Sequence, residues 1–410
     1  MKHSLKSILA AGMLLTTTLV FTSCEGALDD IFGEWSRPTP TEAPTEGSTP
    51  APLILDLSTV TEAITIQDGY TLTGTLDVAN YPVKISIADG ATVTFDGVTI
   101  IGVNNDGCKW AGITCEGDAT IILKEGTANT VKGFHKYYPC ILAAVYKTLT
   151  IKGTGMLNVS NDGWGAGIGG GHMIACGNID IQGGTITAKG GGNSAGIGSG
   201  SYTGASCGNI TISDGDITAT GGDGATGIGS GKDPGAICGN IIILGGKVEA
   251  HGGSDAAGIG SGKNHAICGN ITISDGDITA TGANGSAGIG SGNFNSQCGN
   301  IIISGGTIMA TGGLHAPGIG CGGFAGYPSQ CGAITITADV TSVTAIRDGS
   351  ANYSIGTGPD GSCSMVKFGS LTMYDGTNWT TTPTNGNAYD GLNLAIFTTT
   401  NSNDTWKLVP

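Results

Sequence analysis

The chain is poor in charge and poorest in arginine. Lys, Arg, Asp and Glu make up 12% of its 410 residues, and arginine occurs only at Arg37 and Arg347. Acids outnumber bases by 32 to 17, for a net charge of −15. A protein that grips a nucleic-acid backbone needs many Lys and Arg against the phosphates, so nucleic acid is excluded as a partner. Cationic partners, neutral sugars and Ca²⁺-bridged acidic partners stay open. Proline is scarce at 13, and the 75 glycines follow no G-X-Y period, which excludes collagen. Low charge beside 39% hydrophobic residues argues for a packed domain rather than a disordered one. Nucleophile-elbow, HExxH, EF-hand and P-loop patterns are absent. GIGSG recurs down the chain, whereas a phosphate-cradling loop occurs once, before a helix.

The first residues read as an address. MKHSLKSILAAGMLLTTTLVFTSC has a basic start at Lys2, His3 and Lys6, then an apolar stretch from Ile8 to Phe21. That stretch is too short and too threonine-rich for a comfortable membrane span. FTSC resembles a lipobox, which makes 1–23 a lipoprotein signal peptide and Cys24 the acylated N-terminus. The acidic EGALDD that follows resembles export signals of surface-displayed Gram-negative lipoproteins. Residues 36–52, SRPTPTEAPTEGSTPAP, are rich in Pro, Thr and Glu and read as an extended tether. Residues 24–52 would then hold the domain off the outer membrane, with the lipid as its sole membrane contact.

Self-similarity dominates the rest. Cys176, Cys207, Cys238, Cys268, Cys298, Cys331 and Cys363 each head a related unit, and CGNITISDGDITATG stands intact at both 207–221 and 268–282. Each unit holds three short alternating runs. NITIS places Ile210 and Ile212 on one side, DITAT places Ile217 and Ala219 there, and AGIGS turns Ile197 inward. Period-two alternation bounded by glycine reads as strand. Three strands per unit, without helix or hairpin signals, suggest a coil that returns to its start one layer up. The expected fold is all-β, a single parallel β-helix of about ten coils, with strands ~4.8 Å apart in a rod ~50 Å long. The rod spans 53–384, and 385–410 close its end as a cap.

Stacking accounts for much of what repeats. Asn178, Asn209, Asn240, Asn270 and Asn300 share one position, where amides can stack along the rod. The cysteines behave as small buried hydrophobes. An in-register stack gives each sulfur two equivalent neighbours and no unique disulfide partner, so free thiols are expected. The glycines of AGIG are expected to face outward, either as a bare surface or to fit tight corners.

Four acids stand out in the duplicated stretch: Asp214, Asp216, Asp275 and Asp277. Lys247 falls between 216 and 277, and D/K/D alternation relieves like-charge stacking. Charge patterning on an exposed face is thus the favoured reading. A shared Ca²⁺ site and catalytic carboxylates are the other two. The six histidines fall at different loop positions and read as solvated.

Two features point to a ligand. Trp110, Tyr138 and Trp164 fall at or near one position of successive units, and a line of flat rings can carry a sugar chain. The loop between AGIGSG and CGN varies in length and chemistry, and in solenoids such variation often falls on the binding edge. It carries Tyr202, Phe294 and Tyr327, along with Lys232, His265 and Phe324.

TVTFDGVTI (92–100), IILKEGTANTV (121–131) and TLTIKGTGMLNVS (148–160), followed by AGIG units, resemble bacterial exported carbohydrate-binding β-helix proteins of the pectin-lyase-like superfamily. The resemblance covers roughly residues 60–330. It implies a right-handed parallel β-helix at the cell surface that binds plant or host polysaccharide, sometimes with Ca²⁺. Lyases of this fold need a base beside a carboxylate, and Arg347 is the rod's sole arginine. The expectation is a lipid-anchored surface protein that binds polysaccharide without catalysis and needs no cofactor. An adhesin or structural protein that binds another protein is the alternative. A polysaccharide lyase or glycoside hydrolase is the second.

Overall fold

The computed structural model describes residues 53–368, apart from 325, 338, 349, 350 and 352. It also describes the strand backbones Leu371–Tyr374, Asn393–Thr398 and Asp404–Val409. The segments expected to be a signal peptide and a tether, with Cys24 between them, lie outside the described residues.

The described chain is a right-handed parallel β-solenoid. Its first wall holds segments such as Ile241–Ile243 and Ile271–Ile273, its second Lys247–His251 and Asp277–Thr281, its third Ile259–Gly260 and Ile289–Ser291. In the coils before these, the first two walls merge across a bulge into single strands, Asn178–Lys189 and Ile210–Thr220. A fourth rung of two residues, such as Ser206–Cys207, precedes the first wall. The sequence pattern does not announce this rung, because two residues are too few to show a period.

Alternation sets the core. In Ile271–Ile273 the isoleucines are buried and Thr272 is half-buried, and in 277–281 Ile278 and Ala280 are buried while their neighbours face out. The third wall is an eleven-stranded sheet. It stacks Ile64, Ile85, Ile113, Ile141, Ile168 and Ile197, then Ile228, Ile259, Ile289, Ile319 and Ile355. All but Ile64 are fully buried. Ten steps between eleven strands give a rod ~48 Å long. Identical β-branched side chains in register fill the same space in every layer, so one packing solution repeats along the axis.

From Ile168 onward a glycine follows each of these isoleucines and is buried, which corrects the expectation of an outward glycine surface. Gly198, Gly229, Gly260 and Gly290 have φ between +135° and +137°. A Cβ at Gly229 would lie 2.0 Å from the carbonyl oxygen of Gly260 in the next coil. Glycine is needed here for both its left-handed φ and the close approach of coil to coil.

The asparagine ladder works through the backbone rather than by amide-on-amide stacking. The side-chain oxygen of Asn209 accepts from the Asn240 N–H at 2.9 Å, and that of Asn240 from the Asn270 N–H at 2.9 Å. A serine ladder runs beside it. Ser199 and Ser230 each accept from a backbone N–H one coil on, Gly231 and Gly262, at 2.9 and 3.0 Å. The cysteines stack in register from Cys207 to Cys363. The eleven cysteines from Cys108 to Cys363 are all buried free thiols.

Parallel pairing in the first wall ends with Gln330–Ile336 against Ser362–Phe368. Leu371–Tyr374 then folds back antiparallel on Ser362–Phe368. Asp404–Val409 runs antiparallel to both Asn393–Thr398 and Ser342–Ile346. Strands of reversed polarity thus occupy the last edges of two walls, where further parallel coils would otherwise add.

Candidate ligand-binding edge

The variable loops lie in register on one edge, between the third wall and the cysteine rung. Backbone bonds run from loop to loop, as from Met173 N to Ser201 O (2.9 Å) and from Tyr202 N to Lys232 O (3.2 Å). The solenoid therefore brings side chains about thirty residues apart to neighbouring positions.

At the N-terminal end of this edge four rings form a cluster. Tyr137 lies 5.4 Å from Trp164 and 4.9 Å from His172 between ring centroids. Trp164 lies 5.2 Å from His172, and His172 lies 5.0 Å from Tyr202. Trp164 and Tyr202 are each 43% exposed, so broad ring faces stay open to solvent. Beside them opens a groove of about 490 Å³, lined by Asp106, Lys109, His135, Lys136, Tyr138, Ile174 and two of the rings, Tyr137 and His172.

Electrostatics inside the groove favour neutral, hydrogen-bonding imidazoles. His135 Nδ1 accepts from the Tyr137 N–H at 3.1 Å, which places the proton of the neutral ring on Nε2, 3.6 Å from Asp106 Oδ1. Burial lowers the pKa of His135 below the ordinary 6.5, and the Asp106 carboxylate only partly opposes this. Burial lowers that of His172 as well. Lys136 bonds Asp106 at 3.0 Å and lies 5.2 Å from the Tyr137 ring centroid. That bond holds the Asp106 carboxyl below its usual range.

The aromatic row expected from the sequence is rearranged. Trp110 is half-buried against the core, with its ring 5.8 Å from Phe134 and its Nε1 without a partner. It does not join the open cluster. Tyr138 lines the groove, edge-on to His135 at 5.7 Å, while Tyr137 meets Trp164. Trp164 and Tyr202 do come together, through His172. The reading of all histidines as solvated loop residues is corrected, because His135 is 5% exposed and His172 sits at the centre of the rings. Tyr137, His135 and His172 were missed. The signal was present in HKYYP (135–139), but a two-residue aromatic pair does not reveal which ring faces the loop edge.

Farther along the same edge, Phe294 packs 5.0 Å from Tyr327, with Lys263 Nζ 4.7 Å from its ring centroid. A smaller cleft of about 170 Å³ opens there, lined by Phe294, Phe324, Leu314 and His315 among others.

The four acids lie elsewhere. Asp216, Lys247 and Asp277 stand in one cross-coil register, and Lys247 Nζ is 3.6 Å from Asp216. Asp214 and Asp275 each accept from the next backbone N–H, Gly215 and Gly276, at 2.8 Å. All four are exposed. This arrangement is the charge patterning expected, with two acids used as local turn caps. Among the described residues no group of three or more His, Cys, Asp or Glu is placed to hold a metal ion.

A family model described as a beta helix repeat matches five successive segments, residues 179–201, 210–232, 241–263, 271–293 and 301–323. Each runs from a first-wall isoleucine through the GIGSG or GIGCG turn, one coil at a time. The chain is thus a parallel β-helix repeat protein. No curated protein and no solved structure gave a match.

Proposed function

We propose that the rod is a non-catalytic polysaccharide-binding module, displayed at the outer-membrane surface by a lipid on Cys24. The observation that carries this reading is the open cluster of Tyr137, Trp164, His172 and Tyr202 beside a groove of about 490 Å³. Flat rings offer π faces to sugar C–H groups, while Tyr hydroxyls, Lys109 and the neutral imidazoles bond sugar hydroxyls. The placement of Asp214, Asp216, Asp275 and Asp277 as caps and charge pairs supports the non-catalytic part. The charge balance and the FTSC sequence support a secreted, lipid-anchored protein that meets neutral or cationic surfaces.

The test is retention on polysaccharide-impregnated gels. Trp164→Ala with Tyr137→Ala should weaken retention, each ring contributing about 1 kcal/mol, or roughly fivefold in affinity. Trp110→Ala is the wrong probe because it opens the core. Retention unchanged in the double variant refutes the ring site. A glycan array without hits, together with capture of a single protein, would favour the adhesin alternative. Release of reducing ends or unsaturated products from pectin or host glycans would overturn the non-catalytic assignment. Palmitate labelling that survives Cys24→Ala would overturn the anchor.

A further inference from the structure

A second pattern runs down the same edge. Met173, Tyr202, Asp233, Asn264 and Phe294 fall at one ladder position in five successive coils. Their φ angles lie between +58° and +81°. This left-handed region is costly for any residue with a Cβ, and glycine would relieve the cost at each position. Glycine is abundant in the rod, yet none of the five is glycine. Shared register and similar φ set the five side chains on one line, with ~4.8 Å between coils.

Contacts along the line make it aromatic at both ends and polar between. Tyr202 leads back to His172 and Trp164, and Phe294 leads on to Tyr327. In the middle, Asn264 Nδ2 donates to Asp233 Oδ1 at 2.8 Å.

The other oxygen of Asp233 is unsatisfied. The residue is 5% exposed, and its Oδ2 has no hydrogen-bond partner. Neighbouring acids are matched: Asp223 pairs with Lys232 at 3.2 Å and Asp255 with Lys263 at 2.8 Å. His172 feels the Asp233 charge, but burial keeps its ring neutral near pH 7, so it supplies no cation. A buried carboxylate oxygen without a donor is destabilising, and a ligand donor would remove that penalty. Oδ2 is enclosed in the free rod, so the Asp233 side chain must turn outward to present it to a ligand.

We propose, building on the polysaccharide reading above, that the edge from His172 to Tyr327 is one track for a glycan polymer lying parallel to the rod axis. Asp233 is its specificity-determining residue and accepts a hydroxyl of a central sugar unit on Oδ2. Five coil steps separate the ends of the track, a span of ~24 Å. Rings stack the outer units, and the carboxylate reads the hydroxyl pattern in between.

The experiment uses the purified protein and an array of cellulose, xylan, mannan and pectin oligomers graded from disaccharide to octasaccharide. Affinity should rise with length until about 24 Å is spanned, then level off. Asp233→Asn should weaken the longest bound oligomer about tenfold while leaving the shortest bound oligomer unchanged. Phe294→Ala with Tyr327→Ala should shorten the length at which affinity levels off. Asp233→Gly controls for folding. It relieves the φ of +81° and should melt at or above the parent temperature while losing the same affinity. Length-independent binding that still needs Trp164 overturns the track and leaves the polysaccharide reading standing. Parent-like affinity in both Asp233 variants overturns the assignment of Asp233. Failure of every oligomer to bind brings down the track and the reading together.

Discussion

The glycine ladder of the third wall lends itself to a controlled pair of substitutions. Gly69 and Gly229 both have positive φ, +80° and +135°. They differ in what a methyl group would meet. Around Gly69 nothing lies within 4 Å, whereas at Gly229 the Gly260 carbonyl oxygen would be 2.0 Å away. Gly69→Ala should therefore cost only the conformational penalty, about 1–2 kcal/mol. Gly229→Ala adds a steric one. Relieving that contact requires the two coils to part by about 1 Å, enough to break a hydrogen bond. The bonds at risk are Ile228 N to Gly258 O at 3.1 Å and Ser230 N to Gly260 O at 3.0 Å. Each buried group left unmet costs about 1–3 kcal/mol, so the total loss should reach about 4 kcal/mol. Urea unfolding followed by far-UV circular dichroism would read both as midpoint shifts. Solenoids open locally, so hydrogen exchange at 228–230 should show the loss concentrated at that coil junction. Equal midpoint shifts for the two variants would refute the argument that coil spacing, rather than φ, demands glycine in this wall.

Asn240→Ala removes the acceptor for the Asn270 N–H and should cost about 1–2 kcal/mol, read as a lower urea midpoint, with Asn240→Asp tolerated better because it keeps an acceptor. His135 is held with a pKa below 6.5 by burial, so the unfolded chain takes up the proton first as pH falls. Its contribution to stability should be full above about pH 6.5 and be lost downward to the depressed folded value, and melting curves from pH 7.5 to 5 should show this slope flattened in His135→Gln. Burial pushes the Cys115 and Cys140 thiols up to about 12, so iodoacetamide at pH 8 should leave both unmodified in the folded protein and alkylate them in urea, with peptide mass spectrometry as the check. Native-state alkylation of either would mean that the coil interior opens far more readily than its packing implies.

Much of the architecture is legible in the chain because a solenoid writes its geometry as repetition. Ile271, Ile273, Ile278, Ala280 and Ile289 alternate with polar or glycine neighbours, and the same set recurs in the next coil as Ile301, Ile303, Ile308, Ala310 and Ile319. Inward direction, wall count and the single-file cysteines all follow from that period. The Asp216, Lys247 and Asp277 column could be written down from spacing alone. The candidate site resisted this treatment. Trp110 and Trp164 look alike in the pattern, yet one ring packs on Phe134 and the other faces solvent, because the loops that carry them depart from the repeat. His172 and Tyr202 stand thirty positions apart, and contacts of Met173 and His172 with Ser201 fix how their loops stack.

Sequence by itself determined the β-helix, its inward isoleucines and its acidic, arginine-poor surface, since those depend on period and composition. Tertiary structure alone decided that the AGIG glycines are buried, that Asn240 bonds a backbone N–H, and that Tyr137 rather than Trp110 completes the open rings. It alone also leaves Asp233 Oδ2 without a donor. Each of these turns on a distance of a few ångströms between neighbouring coils, and strand period says which residues face a wall but not what meets them across it.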